Sequence, residues 1–129
     1  MSGRVVVDTN VVIGLFAGDP NIASYLDQCS ELFLCVPVLG ELWYGAKASS
    51  RVKENMQRLQ DFATTIMLLN CDIGTAAKFG EIKSVLRKKG RPIPDNDIWI
   101  AAITQQHDLR LVSRDAHFAE IDNLDLDIL

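Results

Sequence analysis

Four acidic side chains in this sequence could do chemistry together: Asp8, Glu41, Asp97 and Asp115. Each stands in an apolar setting. Asp8 ends the run Arg4-Val5-Val6-Val7 and is followed by Thr9-Asn10. Glu41 is the one acidic residue between Pro37 and Lys47. Asp97 leads into Ile98-Trp99-Ile100-Ala101-Ala102, and Asp115 follows Leu111-Val112-Ser113-Arg114. Carboxylates gathered in one place repel, so at neutral pH they need protons or a cation. Oxygen-only donors suit Mg²⁺ or Mn²⁺ rather than zinc. Two such ions about 4 Å apart activate a water and stabilise the leaving oxygen of a phosphodiester.

Each acid also has a plainer role open to it. Asp8 could cap the next helix. Glu41 could be a solvated charge, although lone charges in apolar helices are costly. Asp97 could serve the dipole of a helix whose first turn it occupies, and Asp115 could be a turn residue beside Arg114. Asp95 follows Pro94 and suits an N-cap, which leaves Asp97 for a metal. Ser113 could hold a water or simply bond the backbone.

The elements that must position these acids follow from periodicity. Three valines in a row predict a buried first strand. Leu32 to Val36 is an apolar run that predicts a second, Ile66 to Leu69 a short third, and Arg110 to Ser113 a fourth. Leu124 to Leu129 alternates leucine with aspartate, the period of an edge strand. Helices are expected from Val11 to near Gly18, from Asn21 to about Gln28, and from Pro37 with Val38, Leu42 and Ala46 on one face. A longer helix, capped by Ser49 or Ser50, should run to about Thr64 with Val52, Met56, Leu59 and Phe62 as its inner stripe. Asp72 should cap a helix that ends at Gly90, and Asp95 or Asn96 should start one reaching Gln106. Arg91-Pro92-Ile93-Pro94 is a rigid connection. Strands alternating with helices imply an α/β fold, a parallel sheet with helices on both faces. Such a sheet brings the carboxyl ends of its strands to one edge, where ligands bind.

The remaining features narrow the class. At 129 residues the chain has the length of one domain, with enough surface to bury a core. A net charge of −4 advertises no polyanionic partner, so nucleic acid would have to be held by metal ions and a local basic patch. Arg87, Lys88, Lys89 and Arg91 form the clearest such patch. They suit either RNA phosphates or the negative end of a helix dipole. Cys29, Cys35 and Cys71 have no metal-binding spacing and are expected to be small core residues in a reducing compartment. His107 and His117 lack zinc-type spacing and are not expected to be ligands. Trp43, Tyr44 and Trp99 are expected in the core or an interface, and Glu120, Asp122, Asp125 and Asp127 in a solvated tail. No apolar run is long enough to span a bilayer, and Asp8 and Asn10 interrupt any secretion-type segment, so the expected location is cytoplasmic.

Four motifs together resemble one family: Val6-Val7-Asp8-Thr9-Asn10, Pro37 to Ala46 with its Glu-Leu-x-x-Gly-Ala, Asp97 to Ala102, and Leu111 to Asp115. In this order and spacing, across almost the whole chain, they resemble the PIN-domain ribonucleases of the VapC toxin type. The resemblance implies a single PIN domain over residues 1–129, a three-layer sandwich around a parallel sheet of about five strands. It implies metal ligands at Asp8, Glu41, Asp97 and Asp115, supported by Thr9, Asn10 and Ser113. It implies an Mg²⁺- or Mn²⁺-dependent endoribonuclease acting on transfer or ribosomal RNA, a homodimer, and inhibition by a VapB-type antitoxin. A phosphatase of the haloacid dehalogenase type would need a second aspartate where Asn10 stands. A receiver domain would need an acidic pair that Arg4 to Asn10 lacks. A PIN-fold module that binds without cleaving would not need all four acids.

Overall fold

The computed structural model describes residues 3–129. Strand β1 (Arg4–Val7) lies at its centre, and Val5, Val6 and Val7 are all buried. Successive side chains of a strand point to opposite faces, so both faces of the sheet are covered. The chain continues through helices α1 (Thr9–Phe16) and α2 (Pro20–Asp27) to β2 (Glu31–Cys35). It then runs through α3 (Val36–Lys47) and α4 (Val52–Ala63) to β3 (Met67–Leu69). Next come α5 (Ile73–Lys89), α6 (Asp95–Gln106) and β4 (Arg110–Ser113). A 3₁₀ turn (Ala116–Glu120) leads to β5 (Leu126–Ile128). The five strands are parallel in the order β3-β2-β1-β4-β5. This is the α/β sandwich with a parallel sheet that the alternation of elements implies.

The strand order creates a place for ligands. From β1 the chain builds outward through β2 to β3, then crosses back to add β4 and β5 on the other side. The direction of winding reverses between β1 and β4. Loops leaving these two strands diverge there and open a crevice at the carboxyl edge. The register sets Val7 opposite Val112, so Asp8 and Ser113 come next on neighbouring strands.

Local signals explain most boundaries. Asp19 caps α2, its side chain accepting from the Asn21 and Ile22 amides, with Pro20 at the first helical position. Asp72 and Thr75 form a reciprocal capping box at the start of α5. Gly90 ends α5 at φ +68°, a conformation costly for other residues. Val38, Leu42 and Ala46 form the buried face of α3. Phe79 of α5 and Trp99 of α6 stack with ring centroids 4.1 Å apart, which puts Trp99 in a helix interface.

Several expectations need correction. Neither Ser49 nor Ser50 caps α4: Arg51 holds that position without a side-chain bond. Ser49 instead donates to the Ala46 carbonyl and accepts from the Asn55 amide, tying α3 to α4. Of the α4 stripe only Leu59 is buried, and Val52 is exposed, because α4 packs on α3 rather than on the sheet. Cys71 is exposed, so not every cysteine is a core residue. Tyr44 is 76% exposed, outside the core. The acidic tail is paired rather than merely solvated. Arg110 reaches Asp125 and Asp127, Tyr25 donates to Asp127, and Lys89 binds Asp122. The Arg110 contacts hold β5 against β4, and the other two tie the tail to α2 and α5.

Ile100 lies on α6 with no exposed surface. Ile100→Ala should lower unfolding free energy by about 3 kcal/mol, the usual cost of truncating a buried aliphatic side chain. Urea titration followed by circular dichroism measures this.

Candidate active site

The carboxyl edge of β1 places Asp8 where the winding reverses. Asp8 is only 4% exposed. Its Oδ1 accepts the Thr9 amide at 2.8 Å, and its Oδ2 accepts the Ser113 hydroxyl at 2.6 Å. Asp8 therefore caps α1, its plainer role, and it also faces β4. The Thr9 hydroxyl donates to Glu41 Oε1 at 2.9 Å, which ties the first turn of α1 to the middle of α3. Ser113 Oγ accepts the Asp115 amide at 2.9 Å. Asp115 Oδ1 lies 2.8 Å from His117 Nδ1, and His117 Nε2 lies 2.7 Å from Asp97 Oδ2. A continuous path thus runs Glu41, Thr9, Asp8, Ser113, Asp115, His117, Asp97. It joins four acids, far apart in sequence, from β1, α3, α6 and the loop after β4.

The electrostatics agree with this convergence. Burial pushes the Asp8 carboxyl above its ordinary range, opposed by the bonds from Ser113 and Thr9 and reinforced by the charges of Asp97 and Asp115. Glu41, at the open rim, is also raised, first by desolvation and then by Asp8 and Asp97 against the bond from Thr9. Asp97 is raised by burial, with His117 opposing and Asp115 adding to the rise. Among the described residues no lysine or arginine forms an ion pair with these four acids; His117 alone does.

The supporting residues divide. Thr9 and Ser113 bind the carboxylates directly. Asn10 does not: its side chain accepts the Arg114 amide at 3.1 Å and so holds the loop that carries Asp115. Asp95 is not the cap of α6. Pro94 occupies that position, and Asp95 pairs with Lys83 at 2.9 Å, pointing away from the path. Asp97 keeps the inward position, beside His117. Of the basic run, Lys89 is held by Asp122 and the Glu120 carbonyl, and Arg91 lies 3.9 Å from Glu120. Arg87 and Lys88 have no ion pair among the described residues.

His117 is the residue that sequence reasoning missed. A search for paired histidines or cysteines passes over it, because its partners are carboxylates. The usable signal was Asp115-Ala116-His117, in which an aspartate starting a turn reaches the residue two places on. Asp97, Asp115 and His117 each offer a ligand atom within 4.8 Å of the others, so the group could hold a cation.

A parallel sheet in this order, with acids meeting at its reversal point, defines a class. The PIN domain profile matches residues 5–124, and the chain belongs to the PIN-domain family. It is 35% identical over 112 residues to Ribonuclease VapC2 of Haemophilus influenzae, covering 85% of each protein. It is 27% identical over 112 residues to the tRNA(fMet)-specific endonuclease VapC of Shigella flexneri, again 85% of each. The solved structure of VapBC-1 from nontypeable Haemophilus influenzae contains a chain that superimposes with a TM-score of 0.88 at 25% identity, covering 97% of both.

Asp8, Glu41 and Asp97 all hold protons more readily in the folded chain than in the unfolded one. Between the ordinary carboxylate range near pH 4 and neutrality, the folded state therefore binds more protons. Metal-free protein should gain stability as pH falls from about 7.5 to about 5. Further acidification reverses the gain as it reaches groups such as Asp72, held low by bonds from Gln106 and Thr75. Asp8→Asn removes one repelling charge. Its melting temperature in EDTA at neutral pH should rise by a few degrees, and its stability should vary less with pH. Calorimetry at the two pH values checks both.

Proposed function

We propose that this chain is a metal-dependent endoribonuclease and the toxin of a type II toxin–antitoxin pair. In this reading Asp8, Glu41, Asp97 and Asp115 gather Mg²⁺ or Mn²⁺ over the scissile phosphate. One observation carries the reading: the hydrogen-bonded path that draws four acids together with no lysine or arginine among the described residues paired to them. Such a cluster fits a hard divalent cation, because its donors are carboxylate oxygens and three of them resist ionising without a counter-charge. A bound ion supplies an activated water and offsets charge on the phosphate.

The chain's own groups supply position. Each Asp8 oxygen takes one hydrogen bond and keeps a lone pair for a cation. Thr9 holds Glu41 through Oε1, and the Asn96 side chain also bonds its carboxylate. Ser113 grips Asp8 and the Asp115 backbone together, so one hydroxyl aligns both acids. Fixing carboxylates in this way keeps the site from rearranging as charge develops.

RNA is the substrate that the VapC relatives support, and the Shigella flexneri enzyme's name favours transfer RNA. A VapB-type antitoxin is the expected partner. A groove lined by Ile13, Phe16, Leu42 and Leu59 adjoins Glu41 and could seat an apolar segment of it. The family resemblance further supports a homodimer working in the cytoplasm, and no helix among the described residues is long and apolar enough to cross a membrane. Arg87 and Lys88 remain available to RNA phosphates.

Asp97→Asn should lower cleavage of labelled transfer RNA by about 10²-fold or more, the scale of losing one main electrostatic contact to the reaction. EDTA should abolish cleavage and added Mg²⁺ or Mn²⁺ restore it. Unchanged cleavage in EDTA would overturn the metal-dependent reading. Separately, replacing both Arg87 and Lys88 with alanine should weaken RNA binding. The slope of log K against log salt should then fall by about 1.4, two single-strand phosphate contacts. Filter binding across a salt series measures it.

A further inference from the structure

We propose that His117 is itself a ligand of the catalytic metal, a nitrogen donor among carboxylates, and that Asp115 is a positioning residue acting through it. This rests on the metal-dependent reading and changes the role of its fourth acid. Asp115 Oδ1 accepts the His117 backbone amide at 3.3 Å and stands 2.8 Å from His117 Nδ1. A carboxylate can only accept, so Nδ1 carries the hydrogen of this pair. That assignment turns the Nε2 lone pair toward Asp97 Oδ2, 2.7 Å away. Two lone pairs face each other at that distance only with a proton between them, and that is the place a divalent ion would claim by displacing the proton. Histidines that bind metals typically give their other ring N–H to a carboxylate, which sets the tautomer and the ring angle. Asp97, Asp115 and His117 each offer a donor atom within 4.8 Å of the others, close enough for a shared ion to reach His117.

The ring is also held in place from behind. Phe118, the next residue, is fully buried, and its ring centroid lies 5.0 Å from that of His117. The imidazole is thus backed by a buried ring and bonded at both nitrogens to Asp97 and Asp115. A nitrogen donor has a chemical consequence: imidazole suits transition metals, whereas Mg²⁺ prefers oxygen. Through His117 the site should favour Mn²⁺ over Mg²⁺ more than four carboxylates would.

The test uses the full chain, with any purification tag removed, loaded with Mn²⁺. Pulsed electron paramagnetic resonance should show coupling to a directly bound imidazole nitrogen. The chain has only one other histidine, His107. In His117→Gln the coupling should vanish, with Mn²⁺ affinity down about tenfold or more and Mg²⁺ affinity changed much less. In Asp115→Asn the coupling should persist, because the amide oxygen still accepts from Nδ1. Absence of nitrogen coupling in a wild-type chain that binds Mn²⁺ and loses it in Asp97→Asn would overturn the role of His117 alone. So would coupling that survives His117→Gln, or equal weakening of both metals. Loss of Mn²⁺ in Asp115→Asn as complete as in Asp97→Asn would make Asp115 a ligand and overturn its positioning role. Failure of the wild-type chain to bind any divalent ion would overturn this inference and the metal-dependent reading together.

Discussion

A carboxylate buried at the end of the central strand is the constraint on which the rest of this structure depends. Asp8 sits at the foot of three buried valines, in a place where a charge is costly unless bonded. Two donors offset the cost, the Thr9 amide and the Ser113 hydroxyl. The first comes from the helix that Asp8 itself starts. The second exists only because β4 is the neighbour of β1. The strand order is therefore not neutral scaffolding: were β4 elsewhere in the sheet, Asp8 would lack one of its two partners.

The plain and the functional roles of the acids turn out to be compatible. Asp8 caps α1 and Asp115 caps the 3₁₀ turn, while Asp97 lies in the first turn of α6. Three helical starts thus point at one crevice. The positive ends of helices soften the repulsion among acids placed there. The same geometry that satisfies backbone amides also concentrates negative charge where a cation can be held. This explains how the fold tolerates the cluster with no lysine or arginine of the described residues paired to it.

Away from the crevice, charge is spent on holding the sheet's edge. Arg110 grips Asp127 on β5 and Asp125 just before it, and Lys89 ties α5 to the loop before that strand. These contacts take up two cations and several acids that composition alone would count as surface. They leave Arg87 and Lys88 as the part of the basic run without such duties. An overall charge of −4 is thus a poor guide to the local field, because many of the individual charges are paired locally.

Much of the fold was legible along the chain, because its signals are local. The buried strands showed as unbroken apolar runs, and Asp19-Pro20, Asp72 and Gly90 marked helix ends through backbone geometry that each residue sets for itself. The start of α4 was misplaced because Ser49, just before it, bonds across to α3 and α4 rather than capping. At the site, the sequence by itself determined which acids stand in apolar surroundings, and so which ones call for a partner. Only the tertiary structure decided what those partners are: Ser113 for Asp8, Thr9 for Glu41, and His117 between Asp97 and Asp115. It also turned Asp95 outward to Lys83 and Asn10 toward a loop backbone. The reason is physical. A side chain's need for a counter-charge is written in its own neighbourhood, but the group that meets the need arrives from strands and helices brought alongside by the winding of the sheet.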